Sequence, residues 1–245
     1  MRTYVTVRGG RVNEVTGDVV REQPLTIYVN GEKFLTLLCS PMMLDALVVG
    51  YLWMEKVIGG VDEIARLDIS AVDGRADVTL THRVTLPTER ILTSGCGGGI
   101  TFRIDHRLFP RLDSTLRVRP AALAAGMKQL FDAATQYQRS RGIHGAALSD
   151  GTRLLLVAED VGRHNAVDKV VGAAVIAREP IAGRGLLVTG RISAELAYKA
   201  ARAGLAYVAT PSVPSTLALT IARRSGMVLV GRAVSGTPHI HRPDA

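Results

Sequence analysis

The chain has 245 residues, with 30 Lys+Arg against 22 Asp+Glu and a formal net charge of +8 at pH 7; 47% hydrophobic and 21% charged residues make an ordinary globular mix, not a disordered one. No apolar run approaches the ~20 residues of a membrane span, and the opening MRTYVTVRGG lacks the apolar stretch of a signal peptide. Two cysteines, Cys39 and Cys96, are too few for a disulfide framework or a multi-thiolate zinc site, and 4% aromatics argue against a stacked-ring nucleic-acid surface, so the expectation is a soluble cytoplasmic protein with neither membrane nor nucleic-acid partner.

The length suits one large domain or two small ones. The first half reads as irregular β structure with one helix. Leu25–Val29 and Phe34–Leu38 flank Asn30-Gly31, whose residue types supply the positive φ angles of a two-residue hairpin turn. Ser40-Pro41 is expected to open a helix, Ser as N-cap and Pro in the first turn, with Leu44, Leu47, Val48, Tyr51 and Leu52 on one face and Gly59-Gly60 as the stop. Ala76–Thr81 and Arg83–Leu86 read as strands. Thr93–Gly99, with four glycines in seven residues, is incompatible with regular structure.

A polar stretch from about Phe102 to Arg119, broken by Pro110 and Pro120, marks a boundary; the expected domains are 1–115 and 116–245. Pro120 fits the first turn of a helix carrying Leu123, Met127, Leu130, Phe131 and Ala134 on one face. A strand pair follows around Asp150-Gly151, Gly145–Leu148 with Leu154–Val157. The rest alternates: helix Ala166–Ala177, strand Gly185–Thr189, helix Ser193–Ala203, strand Ala206–Ala209, helix Ser215–Arg224, strand Met227–Val230. Short continuous apolar strands between Ala-rich helices predict an α/β domain built on a mostly parallel sheet covered on both faces.

In such a sheet ligands sit beyond the carboxyl ends of the strands. Three loops there stand out: Glu159–Asn165, Thr189–Ser193 and Thr210–Thr216. They combine turn residues with hydroxyls, amides and Arg, as a phosphate site requires. Equally, Asn165, Ser193 and Ser215 suit plain helix caps. The Arg residues are scattered with no basic stripe along any helix, so charge alone leaves a solvated surface, a phosphorylated ligand and a nucleic acid open. His144 and His164 read as core histidines, substrate contacts or metal ligands. The zinc-deaminase pattern, a His or Cys two residues before Glu plus Pro-Cys-x-x-Cys, is absent. Cys39 ends an apolar strand and reads as a packing residue. Cys96 lies among glycines whose N–H groups can nest a thiolate, with Arg90 and Arg103 nearby in sequence; an incidental exposed thiol is the other reading.

Taken together, Thr93–Gly99, Gly142-Ile143-His144-Gly145-Ala146-Ala147-Leu148, Glu159-Asp160-Val161-Gly162-Arg163-His164-Asn165-Ala166-Val167-Asp168-Lys169, Gly190–Leu196 and Pro214–Ala218 resemble, in order, the FdhD/NarQ family, sulfur carrier proteins required for formate dehydrogenase activity. The resemblance runs from about residue 25 to 235. It implies a cytidine-deaminase-like C-terminal domain without zinc, a smaller α+β N-terminal domain and a homodimer. It also implies a sulfurtransferase: a cysteine desulfurase loads a persulfide on Cys96, and the sulfur passes to the bis-molybdopterin guanine dinucleotide cofactor (Mo-bisMGD). The cofactor is thus a bound substrate, with no metal held directly by the protein, and formate dehydrogenase is the client.

By the same resemblance the cofactor-binding stretch is Val230, Gly231, Arg232, Ala233, Val234 and Ser235. Asp160, Gly162, Arg163, His164, Asn165, Gly190, Arg191 and Ser193 are expected beside it, with Asp160 reading the guanine edge and His144 and His164 managing protons. Two places depart from the family: Gly99 stands where many members have a second loop cysteine, and the segment Gly231-Arg232-Ala233-Val234 lacks the aromatic that is common after that glycine. A single cysteine suffices for persulfide transfer, since each step needs one nucleophile. A non-covalent cofactor chaperone and a thiol-dependent hydrolase are the alternatives.

Overall fold

A computed structural model describes residues 2–17, 19–85 and 119–243. Cys96 and the rest of the glycine-rich segment, Arg90, Arg103 and the expected boundary at 115/116 lie outside the described residues.

The N-terminal half begins with an antiparallel hairpin, β1 (Arg2–Arg8) and β2 (Arg11–Gly17), which the sequence reading did not anticipate. A four-stranded sheet follows, built from β3 (Gln23–Val29), β4 (Glu32–Cys39), β5 (Ile64–Ser70) and β6 (Arg75–Leu80) in the order β4-β3-β6-β5. The β3–β4 turn is as expected, with Asn30 and Gly31 at φ 50° and 85°. Asn30 also receives the Leu80 N–H on its side-chain oxygen (2.8 Å), so the turn residue ties the hairpin to β6. Residues 83–85 form no strand.

Helix α1 (Leu44–Met54) starts later than expected. Its N-cap is Met43, left-handed at φ 49°, with no side-chain cap. Ser40 does not cap it because its hydroxyl accepts the Val161 N–H at 3.0 Å. A tertiary partner took the group that local capping would have used.

The second half contains α2 (Pro120–Ala133), α3 (Thr135–Ser140), β7 (His144–Ser149), β8 (Leu154–Asp160), α4 (Arg163–Ile176), β9 (Gly185–Val188), α5 (Ala194–Arg202), β10 (Tyr207–Ala209), α6 (Thr216–Ser225), β11 (Val228–Gly231) and β12 (His239–His241). Its six strands run in the order β12-β11-β10-β9-β7-β8. The expected mostly parallel sheet is mixed: only β9–β10 and β10–β11 pair in parallel, while β7–β8, β7–β9 and β11–β12 are antiparallel. The tight turn at Asp150-Gly151 forces β7 and β8 to be antiparallel, because parallel neighbours need a long crossover. β8, β9, β10 and β11 nevertheless point the same way, so their carboxyl ends share one edge.

Alternating strand residues serve two cores. Ala146, Leu148, Ala158, Leu186, Val188, Val208 and Leu229 join one cluster with α1, α4, α5, α6 and the four-stranded sheet. Ala147, Leu187, Tyr207, Ala209, Val228 and Val230 pack with Leu123, Met127 and Leu130 of α2. The segments before and after the undescribed stretch therefore share a core, closest where α1 crosses α4. There a Cβ on Gly50 would sit 1.8 Å from the Asp168 carbonyl oxygen, and one on Gly172 would sit 1.8 Å from that of Ala46.

Candidate functional site at the sheet edge

Four loops leave the shared edge, and hydrogen bonds sew three of them together. Thr210 Oγ1 donates to the Gly190 carbonyl (2.6 Å) and accepts the Ser212 N–H (3.1 Å). Its own N–H donates to Val230 O, and its carbonyl accepts the Ala233 N–H (both 2.9 Å). The Arg232 N–H donates to Ser212 O (2.8 Å), and the Ser215 N–H to Ile192 O (3.0 Å). Thr210 is thus the hub that sets 189–193, 210–215 and 231–235 in fixed relation. The sequence placed it in a loop without marking it as central.

The fourth loop is pinned by a buried ion pair. Asp160, fully buried at the end of β8, accepts Lys169 Nζ (2.6 Å) and the Ser40 N–H (3.0 Å) on Oδ2, and the Gly162 N–H (2.8 Å) and Asn165 Nδ2 (2.9 Å) on Oδ1. Lys169 also donates to the carbonyls of Ser40 (3.1 Å) and Glu159 (3.3 Å), and Asn165 Nδ2 to that of Leu38 (2.7 Å). This corrects three expectations. Asp160 presents no oxygen to a guanine edge, because four internal donors surround it. The Gly162 N–H faces Asp160 and not a phosphate. Asn165 lies inside α4, whose N-cap is Gly162, and works as a brace rather than a cap. Lys169, a charge on a helix turn that also carries Val167, Val170 and Val171, was the sequence signal for this pair.

Arg163, His164, Gly190, Ser193 and His144 do converge. A Cβ on Gly190 would lie 3.2 Å from His144 Nδ1 and 3.3 Å from Arg163 Cβ, so both side chains pack closely against this backbone. Ser193 caps α5, accepting the Leu196 N–H at 3.3 Å, and its Oγ is 3.0 Å from His164 Nε2. Burial, with Lys199 and Arg163 nearby, pushes the His164 imidazole down to about 3, so it is neutral although Nδ1 lies 3.3 Å from Glu195 Oε2. Glu195 Oε2 is not aligned for a hydrogen bond to it. Burial and Arg163 also lower His144. The buried Nε of Arg163 has no acceptor among the described residues. Arg191 and Arg232, the latter at φ 50°, are exposed on the rim. In the last loop Val230, Gly231 and Ala233 are buried, Val234 is half exposed, and Ser235 donates through Oγ to Arg232 O at 2.7 Å. Two imidazoles, a hydroxyl and three guanidinium groups make an edge suited to anionic oxygen and to proton exchange.

Beneath it, Lys199 donates to both oxygens of buried Asp168 (2.9 and 2.8 Å). Glu55, also buried, has no hydrogen-bond donor among the described residues, and burial raises its carboxyl to about 8 against the opposing pull of Lys199. In the unfolded chain Glu55 ionises near its ordinary 4.5, while in the native protein it holds its proton to about 8. The native state therefore binds more protons across that window, and stability falls as pH rises through it. Glu55→Gln is expected to flatten that fall, which chemical denaturation at pH 5 and pH 8 checks; identical slopes for both proteins would refute it.

Among the described residues no helix is long and apolar enough to cross a membrane. No group of three or more His, Cys, Asp and Glu residues there is arranged to hold a metal.

Residues 20–243 match the family model FdhD/NarQ family. The chain is 34% identical to the sulfur carrier protein FdhD of Bacillus subtilis strain 168 over 238 residues, covering 95% of this chain and 91% of that protein. It is 35% identical to the sulfur carrier protein FdhD of Staphylococcus aureus strain MRSA252, covering 97% and 92%. A crystal structure from Desulfotalea psychrophila, described as a formate dehydrogenase accessory protein, superimposes with a TM-score of 0.80 at 24% identity, covering 99% of this chain and 96% of that one. This last likeness supports the fold.

Proposed function

The chain belongs to the FdhD/NarQ family, and on that basis we propose that it is a sulfur carrier serving formate dehydrogenase, with Cys96 as the persulfide-bearing thiol. The Cys96 thiolate attacks the terminal sulfur of a cysteine desulfurase persulfide. The S–S bond to the desulfurase breaks, its thiolate leaves, and Cys96 carries the sulfane sulfur. The Cys96 S–S bond then breaks, the Cys96 thiolate leaves, and the outer sulfur passes to Mo-bisMGD, bound as substrate, whose metal would supply the two electrons that take sulfane sulfur to sulfide. Arg163, Arg191 and Arg232 hold its phosphates, and His144 and His164 exchange protons beside the reacting sulfur. A zinc-free, deaminase-like fold working as a homodimer in the cytoplasm completes the reading.

The observation that carries the cysteine assignment is the state of the only other thiol. Cys39 is fully buried at the end of β4, and desolvation, reinforced by Asp160, pushes it up to about 12. A thiol so buried and so hard to ionise is a poor nucleophile. Intact mass spectrometry after incubation with a cysteine desulfurase and L-cysteine tests this. A gain of one sulfur mass is expected in wild type and in Cys39→Ala, and none in Cys96→Ala. Gain in Cys96→Ala would defeat the assignment. Gly99 in place of a second loop cysteine favours one other reading, a non-covalent cofactor chaperone. Absence of any gain in wild type, with guanine-nucleotide binding intact, would select it.

A further inference from the structure

The first turns of α4 and α5 bring three side chains into one line. Ser193 Oγ lies 3.0 Å from His164 Nε2, and Glu195 Oε2 lies 3.3 Å from His164 Nδ1. Ser193 is partly exposed at the sheet edge, whereas His164 is 8% exposed behind it. Burial, with Lys199, Arg163 and His144 around it, keeps the imidazole neutral, so it carries one N–H and one lone pair. The neighbours decide which nitrogen has the proton. With the proton on Nε2, the Nδ1 lone pair would face the buried Glu195 Oε2, acceptor against acceptor. The Ser193 hydroxyl proton would then have no acceptor among the described residues. With the proton on Nδ1, the N–H faces the carboxylate, an attraction that does not depend on exact alignment, and Nε2 accepts the Ser193 proton. Ser193 Oγ still accepts the Leu196 N–H at 3.3 Å and keeps one lone pair for the edge.

We propose that Glu195 is a positioning residue that fixes His164 as the Nδ1–H tautomer, turns the Ser193 hydroxyl proton inward, and so makes Ser193 the acceptor through which protons leave the edge. Among the arginine donors of the rim, Ser193 thus presents a lone pair and not a proton. A donor at the edge gives its proton to Ser193 Oγ as the Ser193 proton passes to His164 Nε2. The donor keeps the electron pair, and the charge gained by the imidazole faces Glu195. That imidazolium is transient, because burial and the surrounding cations oppose it. The path rests on the proposed function only for which group at the edge supplies the proton.

Long-range ¹H–¹⁵N correlation NMR of the full chain, labelled with ¹⁵N-histidine, reads the tautomer; the His164 signals are those lost in His164→Gln. Wild type is expected to show the proton on Nδ1. Ser193→Gly, which gives up little of the helix cap, should keep it there, since Glu195 and not Ser193 sets it. Glu195→Ala should lower the ratio of Nδ1–H to Nε2–H about tenfold or more, as loss of a hydrogen bond to a charged group does. An Nε2–H form in wild type, or an unchanged ratio in Glu195→Ala, overturns the positioning role. The rate of sulfur uptake from a cysteine desulfurase tests the path itself: Ser193→Gly and Glu195→Ala should each be slower by about tenfold or more with unaltered circular dichroism. Equal rates in all three proteins overturn the path. Failure of wild type to take up sulfur counts against the persulfide reading alone, because the tautomer is read on the unloaded chain.

Discussion

Gly50→Ala is expected to destabilise the chain by about 3 kcal/mol or more, the upper end of what overpacking costs. The added Cβ would fall 1.8 Å from the Asp168 carbonyl oxygen and 2.7 Å from the Gly172 nitrogen, both main-chain atoms that move only if α1 or α4 moves. Alanine is the better helix former by ~1 kcal/mol, so the sign depends on which effect is larger, and contact this short overwhelms propensity. Gly172→Ala should behave alike, since its Cβ would meet Ala46 O at 1.8 Å. Gly126→Ala in α2 is the control: the nearest atom is the Leu187 Cδ2 methyl at 3.0 Å, which can yield. Urea denaturation of the three variants checks the order. Near-wild-type stability of Gly50→Ala would mean that the two helices do not cross in contact.

The second large effect is expected at Asp160. Its removal leaves the Lys169 ammonium buried without a counter-charge and takes the acceptor from the N–H groups of Ser40 and Gly162 and from Asn165 Nδ2. Breaking one side of such a pair costs about 3–5 kcal/mol, so Asp160→Ala should lose stability on that scale. Lys169→Met should do so too, and the double replacement should cost less than the sum of the two, because the singles strand a charge and the double does not. Thermal and denaturant unfolding of the cycle measure this. If Asp160→Ala instead kept its stability and lost only guanine-nucleotide binding, Asp160 would be a ligand contact after all.

The outcomes at Ser40, Asp160 and Asn165 share one cause. Ser40 and Asn165 were read as caps and Asp160 as a guanine-reading carboxylate, and each is engaged by a group more than a hundred residues away or by a neighbour turned inward to meet it. Sequence spacing carries the pattern of burial and the grammar of turns. It carries no record of which distant donor reaches a given oxygen. The Asn30-Gly31 turn, the Ser193 and Ser215 caps and Pro120 at the start of α2 came out as read, because their chemistry is completed within four residues. The hairpin of β1 and β2 escaped notice, as did β5: Arg2–Arg8 and Arg11–Gly17 are almost wholly exposed, so no buried face disciplines their pattern.

By itself, then, the sequence determined the family, the alternation of strands and helices after residue 140, and the loops that meet at one edge. Apolar periodicity and the run Glu159–Lys169 are local properties of the chain. Only the tertiary structure decided that three of those loops hinge on Thr210 and that Asp160 holds Lys169 rather than a ligand. It alone shows that α1 touches α4 backbone to backbone and that Glu55 keeps its proton, while the burial of Cys39 came out as the sequence read it. Those are matters of which atoms are deprived of water and which partners reach them, and burial is settled by the whole fold at once.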